Sequence, residues 1–289
     1  MKLNLVPART GMTWVRQGLR AFWRMPLAFA GLFLMCAAAL TVLSGIPLVG
    51  PLLAAALAPA ATAGLMAATR QAEQGSVPLP GTLLAAFRQS PRQTRAILLL
   101  GAINAAALLA ISGLIAALMG ENPVVRLIEQ SGGQITPELL VNQPELMINN
   151  PAWHAAVHGW MRQTALACLL YLPVSALLWH APALALWHGL PVGKSLFFSA
   201  VAVLRNAPAY LLYGLGWMAV SSIACAGLLI ASVIIGNPLP VAVGGTLPLA
   251  ALVMGMFYTS LWFTFRDSFT EDAPPANAPP STNIDHVKQ

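Results

Sequence analysis

The sequence predicts an all-α fold, a polytopic membrane bundle of six transmembrane helices. The chain has 289 residues, of which 57% are apolar and 8% are charged, and its mean hydropathy is +0.71. Soluble domains carry about 25% charged residues, so this composition excludes a soluble enzyme, a disordered chain and a collagen. Two further observations support the prediction: six apolar segments have the length of a membrane span, and most cations fall on one side of these segments.

Six segments contain the roughly 20 apolar residues that a helix needs to cross a hydrocarbon core of about 30 Å. None of the six contains Asp, Glu, Lys or Arg. All are rich in small residues, which let helix backbones approach closely in lipid. The predicted spans are 27–43, 48–69, 96–119, 165–188, 209–235 and 239–265.

The orientation follows from the cations, because Lys and Arg are retained on the cytoplasmic side during insertion. Of the 15 cations, all except Arg126 and Arg162 lie on one side of the predicted spans. Both termini are therefore predicted to be cytoplasmic. Topology and affinity for anionic lipid headgroups explain the net charge of +6. No nucleic-acid-binding motif accompanies this charge, so a nucleic-acid partner is not predicted.

An internal repeat is predicted from the spacing of prolines and arginines. Three amphipathic segments begin near a proline and end with an arginine just before another proline, and each leads into a pair of spans. The three units cover residues 7–69, 78–188 and 191–266 within one transmembrane domain, 1–266. Because each unit crosses the membrane twice, the repeats are parallel, unlike the inverted repeats of many alternating-access transporters.

Two of the amphipathic segments place arginines on one helical face and apolar side chains on the other. The first segment sets Val15, Leu19 and Phe22 against three arginines, and the second sets Leu84 and Phe87 against three more. Such helices lie in the headgroup plane with apolar side chains toward lipid, although ordinary juxtamembrane anchoring explains the same pattern. The residues predicted to contact anionic headgroups are Arg16, Arg20, Arg24, Arg88, Arg92, Arg95 and Arg205.

A long insert, residues 120–163, separates spans three and four and faces the periplasm in the predicted topology. Its prolines and the Gly132-Gly133 pair predict short helices joined by turns. His154 and His158 stand at i and i+4, a spacing at which two imidazoles reach one metal ion. No third ligand is evident nearby, and the Glu of a HExxH hydrolase is missing. Two interfacial histidines are the simpler interpretation, and no metal, cofactor or catalytic residue is predicted.

Inside the spans, the sequence offers only scattered neutral polar residues. A carrier driven by protons or sodium usually has charged or convergent polar groups near the membrane midplane. Asn104 is the most costly of these side chains to bury, and it either joins helices by hydrogen bonds or lines a polar path. The candidates for these two roles are Asn104, Ser175, His180, Ser221 and Thr259.

Three functions remain open at this point, and residues 267–289 are predicted to be a disordered cytoplasmic tail. A non-enzymatic protein that organises lipid, or an unidentified membrane or periplasmic protein partner, fits the amphipathic segments and the insert. A permease or channel for a small neutral or apolar solute fits the proline-containing spans and their hydroxyl groups. A membrane enzyme that uses His154 and His158 is the third alternative. We favour the first.

Three short motifs resemble a known family. They are Leu5-Val6-Pro7-Ala8-Arg9-x-Gly11 with Trp14-Val15, then Phe22-Trp23-Arg24-x-Pro26-Leu27, and the turn Ile46-Pro47-x-x-Gly50. The chain resembles an uncharacterised family of proteobacterial multispanning inner-membrane proteins, most clearly over about the first 70 residues. The resemblance implies a location in a bacterial inner membrane and supplies no catalytic or binding residues.

Overall fold

The predicted six-span, all-α fold is confirmed. The computed structural model describes residues 2–136, 149–236 and 238–270, with the backbone alone at 238–240. Six helical stretches in this part of the chain are long and apolar enough to cross a membrane. In chain order the helices are α1 (Thr10–Arg24), α2 (Pro26–Ser44), α3 (Gly50–Glu73), a 3₁₀ helix (Pro80–Phe87), α4 (Pro91–Met119), α5 (Pro123–Gln130), α6 (Pro151–Leu178), α7 (Ala181–His188), α8 (Val192–Arg205), α9 (Ala207–Ile234) and α10 (Pro238–Ser268).

Prolines and polar caps set where several helices begin. α2, α4, α5 and α6 each start at a proline, where the missing N–H costs no helical hydrogen bond. Ser90 and Gln93 form a reciprocal capping box at the start of α4. The side chains of Asn122 and Asn150 accept hydrogen bonds from the first turns of α5 and α6. The spans are therefore delimited by local chemistry as well as by hydropathy.

The bundle is built around α3, which contacts α2, α4, α7 and α10. A larger apolar cluster joins α1, α2, α3, α7, α8, α9 and α10, and a smaller one joins α3, α4, α6, α7 and the 3₁₀ helix. The outer surface is also apolar: Leu27, Ile234 and Leu247 are 79–89% exposed. Such exposure suits a protein surrounded by lipid tails, which are as apolar as these side chains.

The fourth span starts earlier than predicted and contains a bend, but it ends at His188 as predicted. It begins at Pro151, because the second half of the insert forms one continuous helix with the span, whereas the sequence placed its start at residue 165. The chain then bends at Trp179 and His180, and the short helix α7 completes the span. The two glycines expected in a turn, Gly132 and Gly133, both have positive φ. Residues 137–148 of the insert lie outside the described part of the chain.

Helix α1 packs against protein, so the expectation that its apolar face points into lipid is wrong. Trp14, Val15 and Phe22 are at most 2% exposed, and the helix lies against α9 and α10. Glycine makes this approach possible, because a Cβ on Gly11 would lie 2.1 Å from the carbonyl oxygen of Ala209. The arginines of α1 remain on its exposed side.

The second amphipathic segment is not a single helix, which corrects another prediction. The 3₁₀ helix covers Leu84 and Phe87, the chain turns at residues 88–90, and Arg92 and Arg95 lie in the first turns of α4. The capping box at Ser90 explains the break, because it starts a new helix there. The structure does not confirm the threefold repeat, which stays a prediction. The segments that precede its three pairs of spans differ in structure, because they are α1, a 3₁₀ helix and α8.

The two ends of the described chain meet. Lys2–Leu3 (β1) pairs antiparallel with Phe269–Thr270 (β2), and the backbone N–H of Asn4 donates to the carbonyl of Ser268 at 2.9 Å. The tail predicted from residue 267 therefore starts too early, because Asp267 and Ser268 complete α10. Residues 271–289 lie outside the described part of the chain. We call the end of the bundle that contains β1 and β2 the terminal end.

Candidate functional site

A cavity of about 200 Å³ lies between α3, α4, α6, α7 and α10 and is open on one side. We call it the bundle cavity. Most of its lining is apolar or aromatic, and its polar lining residues include Thr62, Asn104, Tyr171 and Ser175. Two prolines, Pro59 of α3 and Pro182 of α7, also face it. It is the place where the structure brings two of the predicted polar residues together.

Asn104 joins three helices. Its Nδ2 donates to the carbonyl oxygen of Ala55 in α3 at 2.9 Å, and its Oδ1 accepts a hydrogen bond from the hydroxyl of Tyr171 in α6 at 2.8 Å. The side chain is 3% exposed, so both of these bonds form away from water. One residue therefore combines interhelical hydrogen bonding with a position on the cavity wall.

The other predicted polar residues do not line one continuous path with Asn104. Ser175 borders the bundle cavity, and its hydroxyl donates to the carbonyl of Leu172 at 2.7 Å. Ser221 lies on a separate, apolar cavity of about 330 Å³ between α9 and α10. Thr259 is buried, and its hydroxyl donates within its own helix to the carbonyl of Gly255 at 2.9 Å.

His180 is fully buried at the bend between α6 and α7. Its Nε2 forms a hydrogen bond of 2.5 Å with the hydroxyl of Tyr210, and its backbone N–H donates to Oγ of Ser199 at 2.9 Å. The rings of Phe265 and Phe269 lie 5.8 and 5.4 Å from the imidazole, measured between centroids. These contacts hold the bend against α8, α9 and α10, while Nδ1 has no partner among the described residues.

A charged and aromatic cluster at the terminal end was not found from the sequence. The guanidinium of Arg70 lies over the rings of Trp187 and Trp262, 5.4 and 5.5 Å from their centroids, in cation–π geometry. The Nε1 of Trp262 donates to Glu73, which also forms an ion pair with Arg266. We call these five residues the arginine–tryptophan cluster. It joins the ends of α3, α7 and α10.

The seven arginines predicted to contact headgroups are all exposed. The three of α1 follow its exposed face, Arg88 follows the 3₁₀ helix, Arg92 and Arg95 lie in the first turns of α4, and Arg205 ends α8. In the described part of the chain, none of the seven pairs with a carboxylate; the ion pairs there are those of Arg266. Exposed apolar side chains stand beside several of them, including Trp23 and Leu204.

The insert packs onto the beginning of the fourth span. Pro123 of α5 contacts the surface of α6 at Gly159, and Nε2 of Gln163 donates to the carbonyls of Gly120 and Glu121 at 3.3 and 3.2 Å. His154 and His158 both lie exposed on the first turns of α6. Within residues 2–136, 149–236 and 238–270, no three His, Cys, Asp or Glu side chains form a group suited to a metal ion.

The fold and these sites define a six-span helical integral membrane protein with polar groups between its helices and exposed arginines near several helix ends. The chain is 31% identical over 285 residues to a Burkholderia thailandensis protein named "probable inner membrane protein", and the alignment covers 98% of this chain and 99% of that one. No family model matches, and no solved structure matches. The chain therefore belongs to the family of this relative, and it is a multi-pass inner-membrane protein.

Proposed function

We propose that this protein is non-enzymatic and organises anionic phospholipid, or a partner complex, at the predicted cytoplasmic face. One observation carries the proposal: exposed arginines stand beside exposed apolar side chains around the terminal end of the bundle. Arg24 follows Trp23, which is 59% exposed, and Arg205 follows Leu204, which is 69% exposed. A side chain pair of this kind suits the boundary between headgroups and acyl chains.

The physical basis is electrostatic attraction in addition to apolar contact. A Lys or Arg near an anionic membrane surface contributes about 1 kcal/mol. The seven exposed arginines have no carboxylate partner among the described residues, so lipid phosphates are available as their counterions. The cations lie on α1, α4 and α8 and directly after the 3₁₀ helix, so they offer several separate contacts to lipid headgroups.

The test replaces the three arginines of one helix face, Arg16, Arg20 and Arg24, with glutamine. The protein is purified in mild detergent, and its retained phosphatidylglycerol and cardiolipin are quantified by mass spectrometry. We expect the glutamine variant to retain less anionic lipid than wild type, and the matched lysine variant to retain as much because it keeps the charge. Equal retention in the glutamine variant and wild type contradicts the proposal.

A permease for a small neutral solute is the second candidate, and the bundle cavity is the observation that favours it. The cavity lies between spans and offers hydroxyl and amide groups beside aromatic rings, an arrangement common in small-molecule sites. Its test is a single cysteine at position 175 in a chain whose native cysteines are replaced by alanine. Reaction with a membrane-impermeant thiol reagent in intact cells favours the permease, and protection favours the lipid-organising role.

A further inference from the structure

An apolar groove runs along the outside of the bundle between α2, α3 and the 3₁₀ helix. It encloses about 430 Å³, which is within the usual range of about 300–1,000 Å³ for ligand pockets. Every side chain that lines it is apolar except for one cysteine, Cys36. We call it the α2–α3 groove, and its lining includes Cys36, Ala39, Leu57, Ala61, Gly81 and Leu84.

The groove lies alongside α2 and α3, two of the membrane spans, and the 3₁₀ helix closes one end of it. The hydroxyl of Thr82 donates to Oε1 of Gln71 at 2.8 Å, so the 3₁₀ helix begins level with the last turns of α3. A Cβ on Gly64 would lie 2.5 Å from the carbonyl of Leu83, which places the next part of the 3₁₀ helix deeper. At 1.5 Å per residue, Leu57 lies about 10 Å along α3 from Gly64. The groove therefore runs from the level of the 3₁₀ helix toward the middle of the α3 span.

A positive charge stands at the interfacial end of the groove. A Cβ on Gly81 would lie 3.0 and 3.3 Å from the two terminal nitrogens of Arg88, so the guanidinium packs against the backbone of Gly81. Arg88 is exposed, and among the described residues it has no carboxylate partner. A guanidinium binds phosphate oxygens in bidentate fashion. An apolar channel that ends at an unpaired arginine is complementary to an acyl chain that ends at a phosphate.

We propose that the α2–α3 groove binds one anionic phospholipid, whose acyl chain lies along α2 and α3 and whose phosphate is bound by Arg88. This inference rests on the proposed lipid-organising function and assigns it a site. A zwitterionic lipid offers the same phosphate but also carries an ammonium group, which repels the guanidinium. The site therefore selects phosphatidylglycerol or cardiolipin over phosphatidylethanolamine and phosphatidylcholine.

The experiment uses the full chain in phosphatidylcholine nanodiscs that contain phosphatidylglycerol with a diazirine on its acyl chain. After irradiation, crosslinked peptides are mapped by mass spectrometry. We expect crosslinks in α2 and α3 in wild type. Arg88→Gln removes a charge-assisted hydrogen bond and lowers these crosslinks about tenfold. The control Arg126→Gln removes an exposed arginine that neither lines the groove nor belongs to the seven headgroup arginines, and it leaves the crosslinks unchanged.

A second pair of variants tests the groove without removing a charge. Ala39→Trp places a large ring in the groove, and we expect it to abolish the crosslinks in α2 and α3. Ala38→Trp is the matched control, because Ala38 is also exposed on α2 but does not line the groove. Both positions face outward, so both variants are expected to fold, which the far-ultraviolet circular dichroism of each variant checks.

Three results overturn the inference. They are crosslinks that persist in Ala39→Trp, equal crosslinking by a phosphatidylcholine probe, and a chain dimer that occupies the groove in place of lipid. Failure of the proposal that the groove binds lipid can be distinguished from failure of the proposed lipid-organising function. If anionic lipid retention still depends on the arginines of α1 while these crosslinks are absent, only the groove is wrong. If retention does not depend on those arginines either, both proposals fail.

Discussion

Substitution of Gly101 by alanine tests the packing of α3 against α4. A Cβ at this position would lie 1.8 Å from the carbonyl oxygen of Ala56 and 2.8 Å from its carbonyl carbon. Ordinary van der Waals contact begins at 3.4 Å, so the two helices must separate by about 1.6 Å in Gly101→Ala. Glycine is needed here because it allows two backbones to approach in a membrane where no hydrophobic force holds helices together.

The separation has two energetic consequences. Overpacking of this kind typically costs about 1–3 kcal/mol. The same shift lengthens the 2.9 Å bond from Asn104 to Ala55 beyond hydrogen-bonding distance. An interhelical hydrogen bond in a membrane is worth about 0.6 kcal/mol on average and at most about 1.7. We therefore expect Gly101→Ala to lower the free energy of unfolding by about 2–4 kcal/mol.

The assay is unfolding by sodium dodecyl sulfate in mixed micelles, followed by far-ultraviolet circular dichroism. Gly113→Ala is the control on the same helix, because a Cβ added there would meet no neighbouring atom within 4 Å, and it should change stability by less than about 0.5 kcal/mol. In a chain that already carries Asn104→Leu, the hydrogen bond to Ala55 is absent. Gly101→Ala should therefore lower the free energy of unfolding by about 0.6 kcal/mol less there than in wild type. Equal unfolding midpoints for wild type and Gly101→Ala refute the close approach of α3 and α4.

Three further predictions concern the terminal end and the topology. Trp14→Phe removes the indole N–H that donates to a carboxylate of α10 at 2.9 Å, and should cost about 1–2 kcal/mol in the same assay; Trp23→Phe, at an exposed site, should cost less than about 0.5. Glu73→Gln breaks a partly exposed ion pair and should cost at most about 1 kcal/mol; a cost that does not shrink at high salt contradicts an electrostatic origin. In intact spheroplasts of a chain without native cysteines, an impermeant maleimide should label a cysteine at position 158 and spare one at position 76. The reverse pattern contradicts the predicted orientation.

The spans were predictable because a transmembrane helix is specified by local composition. An apolar stretch of sufficient length must form a helix in lipid to satisfy its own backbone, and this depends on no distant residue. Boundaries were less predictable. Hydropathy marks where a segment becomes apolar, whereas the capping side chain of Asn150 starts α6 at Pro151, well before the apolar part. The bend at His180 depends on Tyr210 and Ser199, which belong to other helices.

The sites were predictable only in part, for the same reason. Asn104 was recognised because an amide inside a span is costly to bury, but its partner Tyr171 lies 67 residues further on. Arg70 was visible as a cation at the end of a span. Its position between Trp187 and Trp262 requires three spans to end at one place, and no pattern within any one of them indicates this.

The contact between α1 and α10 sets an order of events during synthesis. Trp14 and Asp267, which are joined by a hydrogen bond, are 253 positions apart in the chain. At about 5–20 residues per second, the ribosome needs roughly 10–50 seconds to make the second after the first. The helix made first must therefore wait for the helix made last. An amphipathic helix is stable at the membrane surface before its partner helices are made. The amphipathic pattern of α1 therefore suits the nascent chain, whereas in the folded protein its apolar face is buried against α9 and α10.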